Sequence, residues 1–220
     1  MHPAIIFGAS RNTGLLLARI LRSQGIVVHA CLRSPDARSE LEELGVKVRM
    51  GDAMDPKSIA EIFSDLPSET NIISTLGGHS EAGRVDSVGN INLINEAESA
   101  GFRRFVLVTS IGCGEMAPYA SNRARQAFGH VVAEKTRAED HLRASRLIYT
   151  ILRPGGLLNT PATGEGILVQ EPAIHGSISR EDVALLIARI LKSPRSDNQI
   201  FACVDRNNCR CDAPFKPYEL

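Results

Sequence analysis

Gly8 and Gly14 bracket a turn that can hold an anion, and the residues on either side say how. Ala4-Ile5-Ile6-Phe7 is apolar without alternation, as in a strand covered on both faces of a parallel sheet. Leu16, Leu17, Ile20 and Leu21 recur at helical spacing, so a helix begins near Thr13. Between strand and helix run Gly8-Ala9-Ser10-Arg11-Asn12-Thr13-Gly14. The free N–H groups of the first helical turn and the positive end of the helix dipole face whatever lies over this loop. Gly8 permits the turn, and Gly14 lets the helix pack close to the strand. The spacing departs from G-x-G-x-x-G because Arg11 replaces the middle glycine. A tight turn without a ligand is the plainer reading. A strand before and a helix after, near the start of the chain, favour nucleotide binding.

Such a loop must be positioned by a larger frame, and the chain supplies one. Strand patterns at 26–32, 46–50, 71–76, 104–108, 147–152 and 200–204 alternate with helical ones, among them a long helix over 84–99 ended by Gly101. This alternation predicts an α/β fold, a doubly wound parallel sheet of the Rossmann-like kind in a single domain. The domain is expected to span residues 1–205, with loops at 113–129 and 157–171 and an irregular tail over 206–220.

At 220 residues and 43% hydrophobic, one core suffices. Lys plus Arg equals Asp plus Glu at 25 each, which gives no global attraction to nucleic acid or to a membrane surface. No run is long enough to span a bilayer and the first strand begins at once, so the expected location is cytoplasmic. Cys31, Cys113, Cys203, Cys209 and Cys211 are odd in number and scattered, so neither a disulfide framework nor a metal site is expected.

Within a doubly wound sheet the end of the second strand meets the adenosine ribose of a dinucleotide. A carboxylate there would select NAD. The chain offers Arg33 and Ser34, with Arg38 close behind. A guanidinium brackets phosphate oxygens, so Arg33 and Arg11 favour the 2′-phosphate of NADP, with NADPH preferred over NADH. Leu76, Gly77 and Gly78 close the fourth strand, where glycines let a ligand approach the backbone, and form the floor beneath the dinucleotide.

The G-A-S turn ending in Gly14, together with Asp52, Thr109-Ser110, Lys135 and Arg153-Pro154-Gly155 in that order, resembles the short-chain dehydrogenase/reductase superfamily. In detail it is similar to compact atypical members of the flavin reductase/biliverdin reductase B type and to bacterial anaerobilin reductases. The resemblance implies that Gly8, Ser10, Arg11, Asn12, Thr13 and Gly14 hold the diphosphate and that Asp52, with Ala53, meets the adenine. It implies that Thr109 and Ser110 lie beside the nicotinamide, that Lys135 holds its ribose, and that Pro154, Gly155 and Gly156 line its carboxamide. Catalytic roles would fall to Ser110 and Lys135. The standard branch also carries a tyrosine four residues before that lysine. Val131 stands there instead, and Tyr119 forms only Tyr-x-x-x-Arg with Arg123.

That loss restricts the chemistry. A ketone reductase needs a placed acid to protonate an alkoxide, contributing roughly 10²–10⁴-fold. Hydride delivered to a conjugated acceptor leaves a delocalised, weakly basic anion that solvent can protonate. Linear tetrapyrroles, flavins and quinones are therefore the expected substrate class. Ser110 and His130 remain candidates to assist, and His130 also reads plainly as an exposed helix-face residue. His79, Arg84, Arg123, Arg125 and His130 are candidate substrate contacts, the arginines for acidic groups such as propionates. A solvated face explains Arg123 and Arg125 equally well. The alternative function is a non-catalytic NADP(H)-sensing protein of the negative-transcriptional-regulator type. A nucleotide-sugar epimerase would need the tyrosine and a larger C-terminal lobe. The protein is expected to be a monomer or homodimer with no nucleic-acid or membrane partner.

Overall fold

The computed structural model describes residues 2–78 and 85–220, so His79 and Arg84 lie outside the described residues. Eight strands form the main sheet in the order β3-β2-β1-β4-β5-β6-β10-β8. They are β1 (Ala4–Phe7), β2 (Val28–Leu32), β3 (Lys47–Met50), β4 (Asn71–Ser74), β5 (Arg104–Val108), β6 (Ile148–Pro154), β8 (Gly166–Val169) and β10 (Gln199–Asp205). All neighbours pair parallel except β8, which runs antiparallel to β10. The helices are α1 (Asn12–Ser23), α2 (Arg38–Glu43), α3 (Pro56–Ser64), α4 (Asn90–Ser99), α5 (Asn122–Ala144) and α6 (Arg180–Ile190). The doubly wound Rossmann-like arrangement is the one the sequence pattern predicts.

Helices cover both faces, and β1 shows why its sequence does not alternate. Ala4 and Ile6 enter a core with Leu17 and Leu21 of α1 and Val183, Ile187 and Ile190 of α6. Ile5 and Phe7 enter the opposite core, with Ile59 and Phe63 of α3, Leu93 and Ile94 of α4, and Leu142 of α5. With both faces buried, every position must be apolar. At the sheet edge β3 is only half buried, and Lys47-Val48-Arg49-Met50 mixes charged and apolar residues accordingly.

Three sequence expectations need correction. The span 113–129 is not a loop throughout, because it contains a 3-10 helical stretch over Gly114–Tyr119 and the first eight residues of α5. The span 157–171 is not simply a loop, because it contains most of β7 (Gly156–Leu158) and all of β8. The tail is not wholly irregular: β11 (Cys209–Arg210) pairs with β9 (His175–Ser179), and β9 pairs with β7, giving a second, three-stranded sheet. Beyond β11 the chain has no regular element, yet it docks. The Tyr218 ring lies 4.7 Å from that of Phe201, its N–H donates to the Leu168 carbonyl at 2.7 Å, and its hydroxyl donates to the Arg195 carbonyl. Strands of two to five residues are too short to leave a periodic signal, and a single aromatic anchor leaves none either.

His29 is a buried titratable group in β2. Burial, then the charges of Arg49 and Lys47, pushes its pKa from 6.5 down to about 4. Between those values the unfolded chain holds a proton that the folded chain does not, so stability falls as pH drops through this window, by up to about 3 kcal/mol. His29→Gln should remove that part of the loss in urea unfolding compared at pH 7 and pH 4.5. An unchanged pH dependence in the variant would show that the loss arises elsewhere.

Candidate active site

The turn after β1 is shaped by backbone proximity. Gly8 has φ +88°, in the left-handed region that favours glycine. A Cβ on Gly14 would lie 2.2 Å from the Gly8 carbonyl oxygen, so only hydrogen fits there. The hydroxyl of Thr75, just past β4, donates to the Phe7 and Gly8 carbonyls at 3.1 and 3.2 Å and ties the turn to its neighbour. Asn12 also takes a positive φ, 53°, as α1 starts. No side chain caps α1, and no acidic residue sits in its first turn. The first N–H groups of a helix have no partner within it, so this end presents donors and a partial positive charge to a ligand. These observations fit a diphosphate.

The end of β2 and the glycine turn, where the sequence reading expects the adenosine, carry exposed cations. Arg11 and Arg33 are exposed and pair with no carboxylate among the described residues. Arg38 is tied to Glu42 at 2.9 Å, and Ser34 donates to Asp36 at 2.8 Å, so both already hold local partners. Asp52 accepts the Met54 N–H at 2.9 Å, forming the turn-stabilising contact typical of aspartate. Ala53 is buried, and its carbonyl accepts from Asn92.

At the other end, past β4, Lys135 of α5 reaches Gly77. A Cβ on Gly77 would lie 2.8 Å from the lysine Nζ, whereas one on Gly78 would meet nothing within 4 Å among the described residues. The ammonium donates to Asp86 Oδ1 at 2.6 Å. Asp86, which sequence reasoning missed, is fully buried in a π-helical turn over Val85–Gly89 ahead of α4.

Thr109 and Ser110 follow β5. Ser110 is half-buried, and its hydroxyl donates to the Ile111 carbonyl at 3.0 Å. The buried Thr109 hydroxyl donates to Glu139 at 2.5 Å. Glu139 in turn holds Arg153 through two contacts, at 2.6 and 3.0 Å, and Glu115 takes the same guanidinium at 2.7 Å. Arg153 and Glu139 are each only 1% exposed. Burial disfavours the Arg153 charge, but hydrogen bonds to Glu139 and Glu115 more than offset it and hold its pKa above the usual value. The pairing with Arg153 outweighs partial burial at Glu115 and lowers its carboxyl pKa. Sequence reasoning read Arg153 only as the start of a turn motif. No local pattern marks Glu139 as its partner, because a glutamate on a helix is solvated by default.

Other expected residues stand apart. Pro154 is buried, its carbonyl accepting from Ile111. Gly155 answers a packing demand: its N–H is bonded to Cys203, and a Cβ would meet the Gly176 carbonyl oxygen at 2.4 Å. Gly156 is exposed on the rim. Val131 lies on α5 one turn before Lys135, with no hydroxyl to offer. His130, Arg123 and Arg125 are exposed on α5, and Arg125 donates to Asn122 at 2.6 Å. Burial pushes the thiols of Cys31 and Cys113 up to about 12, so both are poor nucleophiles. No helix among the described residues is long and apolar enough to cross a membrane.

Residues 8–194 match the NAD(P)H-binding family, and the chain belongs to it. Among solved structures, ChuY, described as an anaerobilin reductase from Escherichia coli O157:H7, is 38% identical with a TM-score of 0.87, covering 93% of this chain and 98% of that one. An uncharacterised sugar epimerase, YhfK, from Bacillus subtilis is 30% identical over 89% of this chain and 91% of its own. Sanguinarine reductase from Eschscholzia californica is 27% identical over 90% of this chain and 86% of its own.

Gly14→Ala should weaken NADPH binding by about 100-fold or more, because the turn must open to admit the methyl group. Gly129→Ala on α5, where a Cβ meets nothing within 4 Å among the described residues, should leave binding unchanged. Fluorescence titration of both folded variants checks this, and wild-type affinity in Gly14→Ala would remove the diphosphate from this turn.

Proposed function

We propose that the protein is an NADPH-dependent reductase of a planar conjugated acceptor, an open-chain tetrapyrrole foremost, with flavins and quinones as the related class. It is an oxidoreductase of the NAD(P)H-dependent kind, and the reductases among its relatives agree. The observation that carries the acceptor class is Val131. The side chain one turn before Lys135 holds no acid, which suits a product anion that needs none placed beside it.

Bound NADPH supplies the hydride. The chain's own residues bind, orient and shield. The turn over Gly8 to Gly14 would take the diphosphate on main-chain amides, with Arg11 and Arg33 toward the 2′-phosphate. Lys135, steadied over Gly77, would grip the nicotinamide-side ribose, and Ser110 would orient the acceptor. Proximity and orientation then supply most of the rate.

Exposed apolar side chains on the segments that follow β5 and β6 support a flat apolar substrate. Tyr119 and Phe128 come from the chain after β5, and Leu157 and Leu158 from the chain after β6. Parallel β5 and β6 release both segments at the same edge of the sheet. All four side chains are exposed, Phe128 the most at 53%. Arg123 and Arg125, nearby on α5, suit the acidic groups of such a molecule.

Purified protein with NADPH and an open-chain tetrapyrrole, an isoalloxazine or a benzoquinone should consume NADPH, followed at 340 nm, faster than it consumes NADH. No turnover with any of the three, in protein that binds NADPH, would overturn the reductase reading. A partner released on NADP⁺ addition would then favour a sensor.

A further inference from the structure

The ion pair at Gly77 has a feature that ribose binding by Lys135 alone does not explain. Asp86 is 0% exposed, yet among the described residues its Oδ2 finds no hydrogen-bond partner. A buried carboxylate oxygen without a partner is normally unfavourable, so keeping one beside a cleft calls for a reason. The turn that delivers Asp86 is unusual as well. Val85–Gly89 is π-helical, a form that occurs mainly as single turns and frequently at functional sites.

The turn is braced on three sides. The Asn90 amide donates to the Val85 and Asp86 carbonyls at 3.3 and 3.0 Å. Asn90 in turn accepts from Ser74, at the end of β4, at 2.5 Å. Ser87 hydrogen-bonds Glu134, immediately before Lys135 on α5. Two successive residues of the π-helical turn thus hold two successive residues of α5, and the orientation of Asp86 is fixed from both sides.

The consequence falls on the lysine. An ammonium has three donors, and Lys135 spends one on Asp86 Oδ1. Its side chain is 13% exposed, so little water competes for the other two. A free lysine would swing on its four-carbon stem; this one is held at Gly77, where a Cβ would also approach Asp86 Oδ1 to 3.1 Å. Two remaining N–H groups on a fixed nitrogen match the two adjacent hydroxyl oxygens of a ribose. The location selects which ribose. Gly77 follows β4, which lies on the far side of β1 from β2, so it serves the end of the dinucleotide opposite the adenosine.

We propose that Asp86, set by the π-helical turn, is the positioning residue of this site, holding the Lys135 ammonium at Gly77 so that its two remaining donors meet the nicotinamide-side ribose. The proposal rests on the cofactor reading above. Asp86 touches no ligand itself and acts through Lys135.

Binding of two ligands separates this role from a structural one. NADPH carries the nicotinamide-side ribose, whereas adenosine 2′,5′-bisphosphate stops before it. By fluorescence and calorimetric titration, Asp86→Ala and Lys135→Ala should each weaken NADPH about 10-fold or more. Both should bind the bisphosphate as wild type does, and Asp86→Asn, which keeps an acceptor, should fall between. The double variant should lose no more than Lys135→Ala alone, because the two residues act as one unit. Equal losses for both ligands would mean that Asp86 merely supports the fold, and multiplying losses would mean that it does not act through Lys135; either overturns the assignment. Unchanged NADPH affinity in Asp86→Ala overturns it too, while the cofactor reading stands. Wild-type protein that binds neither ligand would overturn both.

Discussion

The α1 helix can begin where it does only because Gly14 rests against the carbonyl of Gly8. Any larger residue would separate helix from strand and turn the first helical amides away from the sheet edge. The contact is local, yet distant parts of the chain hold it in place. Ile5 and Ile6 of β1 anchor opposite cores, Thr75 staples the turn to the end of β4, and α6 backs α1 through Val183, Ile187 and Ile190. An anion site made from backbone needs such a frame, since main-chain donors can be aimed only by fixing the chain on either side.

The second organising element is α5, a largely polar helix whose buried face carries charge. Lys135 and Glu139 are one turn apart and project into different pairs. Lys135 meets Asp86 beside β4, and Glu139 meets Arg153 and Thr109 at the ends of β6 and β5. Breaking a buried pair by deleting one partner typically costs about 3–5 kcal/mol, so each pair strongly favours one placement of the helix. A non-polar replacement would pack as well but would leave the ammonium unheld. The two pairs together hold α5 against the ends of β4, β5 and β6.

Much of this was legible in the sequence, for identifiable reasons. Unbroken apolar strands and periodic helices follow from burial on two faces and on one, which is why β1, β4, β5 and α6 lie close to where the pattern puts them. The Gly8–Gly14 turn was legible because backbone proximity leaves a glycine as its trace. The buried charges were not legible, since arginine, glutamate and aspartate are solvated by default and nothing local marks the exceptions. Arg153 and Glu139 are 14 residues apart, and Lys135 and Asp86 are 49. Gly155 left a trace that pointed elsewhere: it looks like part of a ligand-lining motif and is also demanded by the passage of β9 at Gly176. The three-stranded sheet escaped because β7 and β11 are only three and two residues long and partly or fully exposed.

A dinucleotide laid across the carboxyl ends of β1 and β4, with its diphosphate on the first amides of α1, is tested most directly by an amide-resolved NMR titration with NADP⁺. The largest shifts should fall on Asn12, Thr13 and Gly14 and on Gly77 and Gly78, with the α5 amides around Lys135 following. A cavity of about 210 Å³ elsewhere, lined by Gly164, Asp182, Arg189 and Lys192, should stay silent. Shifts gathered at that cavity, with the amides of the glycine turn unmoved, would contradict the placement of the cofactor.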